Sequence, residues 1–104
     1  MATLRFSRRA EDDLLSIGGY TLKTWGAEQA VRYLGDLETC CRMLAENPAA
    51  DRRCDDIRPG LRRMERGRHV VFYREDAGGV VVSRILHQRM LPDREAIADE
   101  GEGT

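Results

Sequence analysis

Two apolar stripes joined by a single glycine constrain this chain more than any other feature. The second stripe is the cleaner one. Ala27, Ala30, Leu34, Leu37, Cys41 and Leu44 step by 3, 4, 3, 4 and 3, the alternation of a helical a/d seam. The first runs through Ala10, Leu14, Ile17, Thr21, Leu22 and Trp25 at helical spacing and predicts one buried face. Ser7 stands before it as an N-cap, its hydroxyl placed to accept from free backbone amides. Glu11, Asp12 and Asp13 put negative charge near that start, where the helix dipole favours it. Gly26 ends the first helix as a C′ residue. Asn47-Pro48 ends the second, because proline cannot continue it. So short a joint folds the pair into an αα-hairpin. A lone helix cannot bury such a stripe, so the seam packs on helix one and a sheet, although it would equally serve a dimer.

The remainder of the chain reads as β. Thr3-Leu4-Arg5-Phe6 is a short alternating strand, and residues 48–60 (PAADRRCDDIRPG) are a polar connection with two prolines. Leu61–Glu65 is a short strand, Arg66-Gly67 a turn, and His69–Arg74 an apolar strand. Glu75–Gly79 holds paired glycines suited to positive φ. Val80–His87 is the longest run, β-branched and nearly all apolar, which predicts an interior strand. A short helical turn is expected after Pro92, and residues 95–104 read as an acidic, flexible tail. The order β-α-α-β-β-β makes residues 1–94 a single α+β domain, a helical hairpin packed on a small antiparallel sheet with strand one beside a later strand. A chain of 104 residues is one compact domain's worth.

The net charge of −1 hides an uneven layout. Residues 1–51 hold 6 basic and 8 acidic side chains, residues 52–94 hold 11 and 6, and residues 95–104 hold 4 acidic and none basic. Lys23 is the only lysine among 17 basic residues. A GC-rich genome accounts for that bias without invoking a site, although arginine also supplies the planar fork that phosphates and interfaces use. Cys40, Cys41 and Cys54 form an odd set without C-x-x-C spacing. That argues against a disulfide framework or a zinc site and fits a reducing cytosol. The opening MATLRFSRRAEDD has no apolar h-region, and no run of about eighteen apolar residues follows it. The expectation is a cytoplasmic chain, neither secreted by a cleavable signal nor membrane-spanning.

Two constellations carry possible chemistry. Residues 58–69 hold five arginines and one glutamate, and on a hairpin Arg62, Arg66 and Arg68 could converge on one anion. The plainer account is a solvated face with ion pairs to Asp55, Asp56 and Glu65. The only aromatics near it in sequence, Phe72 and Tyr73, lie within a strand, where one must face the core, so base stacking has little to work with. The second constellation is Arg84-Ile-Leu-His-Gln-Arg-Met90. Histidine is the residue type whose ordinary pKa suits acid/base catalysis, which makes His87 a candidate, and Arg84 or Arg89 could hold a phosphate. Strand alternation sets Arg84 and His87 on opposite faces, and no tyrosine follows. His69 lies eighteen positions upstream, and spacing alone does not pair it with His87. A strand-end histidine is ordinarily a hydrogen-bonded structural residue. No glycine-rich phosphate loop, G-x-S-x-G elbow or carboxylate cluster at metal spacing is present, so no cofactor or metal is expected.

Three segments, FSRRAEDDLLSIGGYTLKTWGAEQAVRYL, IRPGLRRMERGRHVVFYR and VVVSRILHQRM, in this order and spacing resemble the ParE toxins of type II toxin–antitoxin modules, within the RelE/ParE superfamily. The resemblance covers nearly everything from residue 4 to residue 92. It implies a helical hairpin on an antiparallel sheet and a toxin that acts without catalysis. Such a toxin binds DNA gyrase, stabilises the cleaved-DNA complex and is neutralised by a ParD-like antitoxin. DNA is then met only through antitoxin or gyrase. RelE-type relatives are instead ribosome-dependent mRNA endoribonucleases. The absent tyrosine and the acidic tail depart from that pattern, which leaves His87, Arg84 and Arg89 as the catalytic set of the alternative. For the gyrase-facing surface the candidates are Arg62, Arg63, Arg68, Arg84, Arg89 and Met90, since arginine and methionine anchor interfaces. For the antitoxin they are Leu15, Leu22 and Tyr33 on leftover helix surface, together with an exposed sheet edge.

Overall fold

A computed structural model describes residues 2–90. The tail at 95–104 and the turn expected after Pro92 lie outside them. The order is β1 (Thr3–Phe6), α1 (Arg8–Trp25), α2 (Ala27–Glu46), β2 (Arg52–Arg53), β3 (Leu61–Arg66), β4 (His69–Asp76) and β5 (Gly79–His87). Short 3-10 helices follow at Pro48–Ala50 and Gln88–Met90. Among the described residues no helix is long and apolar enough to cross a membrane.

Both helix ends form as their residues dictate. The Ser7 Oγ accepts from the Ala10 amide at 3.1 Å and donates to the Ser83 carbonyl at 2.7 Å. The cap that starts α1 therefore also ties it to β5. Gly26 serves both helices, its amide donating to the Leu22 carbonyl and its carbonyl accepting from the Ala30 amide, each at 3.0 Å. The α2 seam is buried at Ala30, Leu37, Cys41 and Leu44, while Ala27 is exposed. The α1 stripe is buried only at Ala10, Ile17 and Thr21. Leu22 and Trp25, expected on the same buried face, are 53% and 58% exposed. The last turn of α1 carries both without a covering layer.

The strand order is β1-β5-β4-β3-β2. The sheet is mixed rather than antiparallel, because β1 runs parallel to β5, with Thr3 opposite Gly79 and Phe6 opposite Val82. A parallel neighbour needs a long crossover, and the helical hairpin with three further strands provides it. One sheet face carries the main core, where Leu37, Cys41 and Leu44 meet Val71, Tyr73, Val80, Val82 and Ile85. The opposite face carries a smaller one of Cys54, Leu61, Val70, Phe72 and Leu86, with Ile57 against it. Residues 48–60 are thus more than a connection. Arg52 and Arg53 add a two-residue edge strand on β3, and Cys54 and Ile57 cover the outer face.

One irregularity organises the site end of the sheet. The β4–β5 register shifts between Phe72 and Tyr73, so that Phe72 lies opposite Arg84 but Tyr73 opposite Val82. Ser83 is therefore the extra residue of a bulge. The parity of β5 changes there: Val80 and Val82 face the helices before it, and Ile85 after it. β1 ends at Phe6, opposite Val82, and beyond that point Asp13 of α1 takes the place of a neighbouring strand. Its carboxylate accepts from the Ile85 amide at 2.9 Å and from Arg84 Nε and Nη2 at 2.8 and 3.0 Å. The two side chains are only 13% and 9% exposed. Arg84, a candidate for a partner surface or for a phosphate, is instead committed to the interior.

Removing one member of a buried pair strands the other charge, at about 3–5 kcal/mol. Asp13→Ala should lower unfolding free energy by that amount in urea titrations. Asp13→Leu combined with Arg84→Met should recover only part of it, since the Ile85 amide then lacks its acceptor. A second site is as sharp: a Cβ on Gly79 would lie 1.9 Å from the Thr3 carbonyl oxygen. Gly79→Ala should cost about 3 kcal/mol or more and expose the β1 amides to hydrogen exchange.

Candidate functional site

The bulged end of β5, the β3–β4 turn and the flank of α1 enclose a groove of about 620 Å³. From α1 come Asp13, Ile17, Tyr20 and Trp25; from α2 come Gln29 and Tyr33; from the β3–β4 turn comes Arg68; and from the sheet come His69, Ile85 and His87. Tyr20 is 61% exposed, so the rim offers two large aromatic surfaces to solvent. Arg68 projects from the turn with its guanidinium carbon 5.9 Å from the centre of the Trp25 ring, within reach of a cation–π attraction.

Deeper in, the two histidines meet. His69 and His87 are register partners on β4 and β5, their ring centres 5.4 Å apart and nearly perpendicular at 81°. Tyr33 leans across from α2, with its hydroxyl 2.6 Å from His69 Nδ1. The Arg68 amide donates to the same hydroxyl at 3.3 Å. A Cβ on Gly67 would come within 2.8 Å of that oxygen, so glycine in the turn leaves the room Tyr33 needs. His87 Nδ1 accepts from the Arg89 amide at 3.1 Å, which places the proton of the neutral ring on Nε2.

Burial, and after it the neighbouring His87, push the His69 pKa below the ordinary histidine value, against a smaller upward pull from Asp13. Burial raises the Tyr33 hydroxyl, so it enters the groove as a neutral phenol. Burial also raises all three thiols, Cys41 to about 12, and a thiol held protonated is a poor nucleophile. The groove thus combines aromatic walls, one fixed cation and a pair of imidazoles.

Arg62, Arg66 and Arg68 do not converge, and the ion-paired face is the arrangement found. Arg62 Nη1 donates to the Asp51 carbonyl at 2.6 Å, and Arg63 pairs with Glu65 at 3.0 Å. Arg66 grips Asp36 of α2 through two bonds of 2.7 and 2.8 Å. Of the five arginines in the 58–69 run, Arg68 alone lines the groove. Arg89 is exposed and lies within the 3-10 turn that follows His87. Met90 closes that turn, and its side chain lies outside the description. Leu15 is 76% exposed and Leu22 53%. Tyr33, expected beside them, is half-buried in the groove.

Sequence reasoning missed the aromatic wall and left the histidine pair undecided. Trp25 read as a core residue because its spacing fits the stripe. The signal for the pair was concealed by the bulge. Asp76 lies opposite Gly79 across the Ala77-Gly78 turn, and a regular hairpin counted from there would set His69 against Leu86. The extra residue Ser83 moves His87 into that place.

The comparisons with known proteins agree with one another. The sequence pattern described as "ParE toxin of type II toxin-antitoxin system, parDE" matches residues 4–92. Toxin ParE1 of Mycobacterium tuberculosis is 43% identical over 89 residues, 85% of this chain and 91% of its own. Toxin ParE1 of Caulobacter vibrioides is 42% identical over 90 residues, 86% and 93% of the two chains. Toxin ParE of Escherichia coli is 35% identical over 91 residues, 86% and 88%. Among solved structures, a chain titled "Chromosomal ParDE TA system from P. aeruginosa" superposes with a TM-score of 0.70 at 25% identity. It covers 84% of this chain and 96% of its own.

A depressed histidine pKa has a definite sign in stability. The unfolded chain takes up the proton first, so the contribution of His69 is complete above about pH 6.5 and is lost as pH falls through its folded value. Denaturant titrations should show stability declining as pH falls below about 6.5, and His69→Gln should flatten that decline.

Proposed function

The chain belongs to the ParE toxin family of type II toxin–antitoxin systems, and on that premise we propose that it inhibits DNA gyrase through protein–protein contact. In this reading the toxin holds gyrase in its cleaved-DNA complex, works in the cytoplasm and performs no catalysis. A ParD-like antitoxin neutralises it. The observation that carries the non-catalytic reading is the commitment of Arg84. In the ribonuclease alternative Arg84 or Arg89 holds a phosphate beside His87, and the structure removes Arg84 from that role. Here both of its donors to Asp13 lie inside the fold, and a charge so placed cannot reach a phosphate without breaking the β5–α1 junction.

The antitoxin contact is assigned to the outer face of α1. Leu15 and Leu22 lie two turns apart there, roughly 150° round the helix from Ile17 of the groove. Both are exposed, and paired leucines at that spacing suit the apolar side of an amphipathic partner helix. Arg68 and Arg89, at the sheet end, remain the charged candidates for gyrase. Arg62 and Arg63 lie on β3 beside the edge strand, away from that end.

Expression without antitoxin should induce the DNA-damage response, and purified protein should increase gyrase-linked DNA cleavage in a supercoiling assay. Arg68→Glu should reduce that effect tenfold or more, as expected for an interfacial arginine. Rapid mRNA loss with supercoiling intact, abolished by His87→Ala, would replace this reading with the ribonuclease one.

A further inference from the structure

We infer that the groove between α1 and the β4–β5 end is a nucleotide site, which takes one base of single-stranded DNA on its aromatic wall and the adjoining phosphate at Arg68 and the histidines. This goes beyond gyrase contact, because it concerns what the isolated chain binds, and it requires no cleavage.

Four observations carry it. The volume, about 620 Å³, lies within the roughly 300–1,000 Å³ of sites for small ligands. Trp25 and Tyr20 expose aromatic surface at the rim, and stacking on such faces is how proteins hold unpaired bases without reading their sequence. Arg68 places a permanent positive charge beside Trp25, so a ligand that stacks there also meets a partner for its phosphate. The fourth observation is the charge balance. Asp13 is the only carboxylate lining the groove among the described residues, and it is already engaged by Arg84. No other acidic group in that lining opposes an anion, while His69 and His87 add hydrogen-bond donors.

An acidic amphipathic peptide would satisfy the charge but not the shape. Such a helix needs a long apolar stripe, and the chain presents its stripe elsewhere, at Leu15 and Leu22. A groove walled by flat rings and floored by imidazoles favours a planar anionic ligand. Single-stranded ends are what a cleaved-DNA complex would expose, which gives the site a use within the proposed reading without depending on it.

The molecule holds its own probes, since its one tryptophan and two histidines all line the groove. Titration of the full chain with short single-stranded DNA should quench Trp25 fluorescence saturably and shift both imidazole NMR signals. Deoxynucleoside monophosphates should do the same more weakly. Raising salt should weaken the DNA arm. Tyr20→Ala should reduce affinity roughly tenfold to a hundredfold. Arg68→Gln should do likewise, with unchanged circular dichroism in both. Unperturbed signals with DNA and mononucleotide alike would overturn the inference, as would saturation by an acidic peptide that DNA fails to displace. Gyrase poisoning by the full chain together with no binding of DNA or mononucleotide would overturn this site and leave the gyrase reading intact.

Discussion

The Asp13 carboxylate is the contact on which the arrangement of this toxin depends. It sits where β1 runs out, and it satisfies both a strand amide and a buried guanidinium. Taking two charges out of water is costly, and their attraction offsets this only when geometry is good and the remaining lone pairs are used. Three hydrogen bonds to one carboxylate meet that condition. The result is a rigid junction between α1 and β5, and it sets the helix flank at a definite distance from the sheet end. Without it the groove would have no fixed wall.

The bulge at Ser83 does the complementary work within the sheet. An extra residue on one strand reverses which side chains face which layer. Before it, β5 gives Val80 and Val82 to the main core; after it, Ile85 joins that core while Leu86 packs on the opposite face. The same shift aligns His69 with His87, and Tyr33 completes the cluster from the hairpin. A structural irregularity thus gathers the titratable groups. The Ser7 hydroxyl, which caps α1 and donates to the Ser83 carbonyl, pins the bulge to the start of the same helix that supplies Asp13.

Surface chemistry is divided accordingly. The outer face of α1 is aliphatic at Leu15 and Leu22, the groove is aromatic and cationic, and the arginines of β2 and β3 are spread among several acceptors, with Glu65 shared by Arg52 and Arg63. Arg62, Arg63 and Arg66 each have a different partner. The basic block evident in composition therefore does not amount to one anion site. Exposed pairs of this kind contribute little individually, and they keep the edge of the sheet charged, which discourages strand addition there.

Local pattern determined the helices. Seams at 3.6-residue spacing, the Ser7 cap, the Gly26 joint and the Pro48 stop are all short-range, and the helices form where those residues place them. The three long strands and the α+β class followed from the same kind of evidence, as did the superfamily resemblance across residues 4–92. Direction and register were not legible, because four residues of β1 carry no information on whether their neighbour runs parallel. Nor does any residue type announce a bulge at Ser83. The roles of Arg84, Trp25 and Tyr33 turned on those two facts. An arginine near a strand end looks the same in sequence whether it meets solvent or a carboxylate seventy-one positions away. Only the packing of α1 against the end of β5 decides which, since that packing determines how much water reaches the charge.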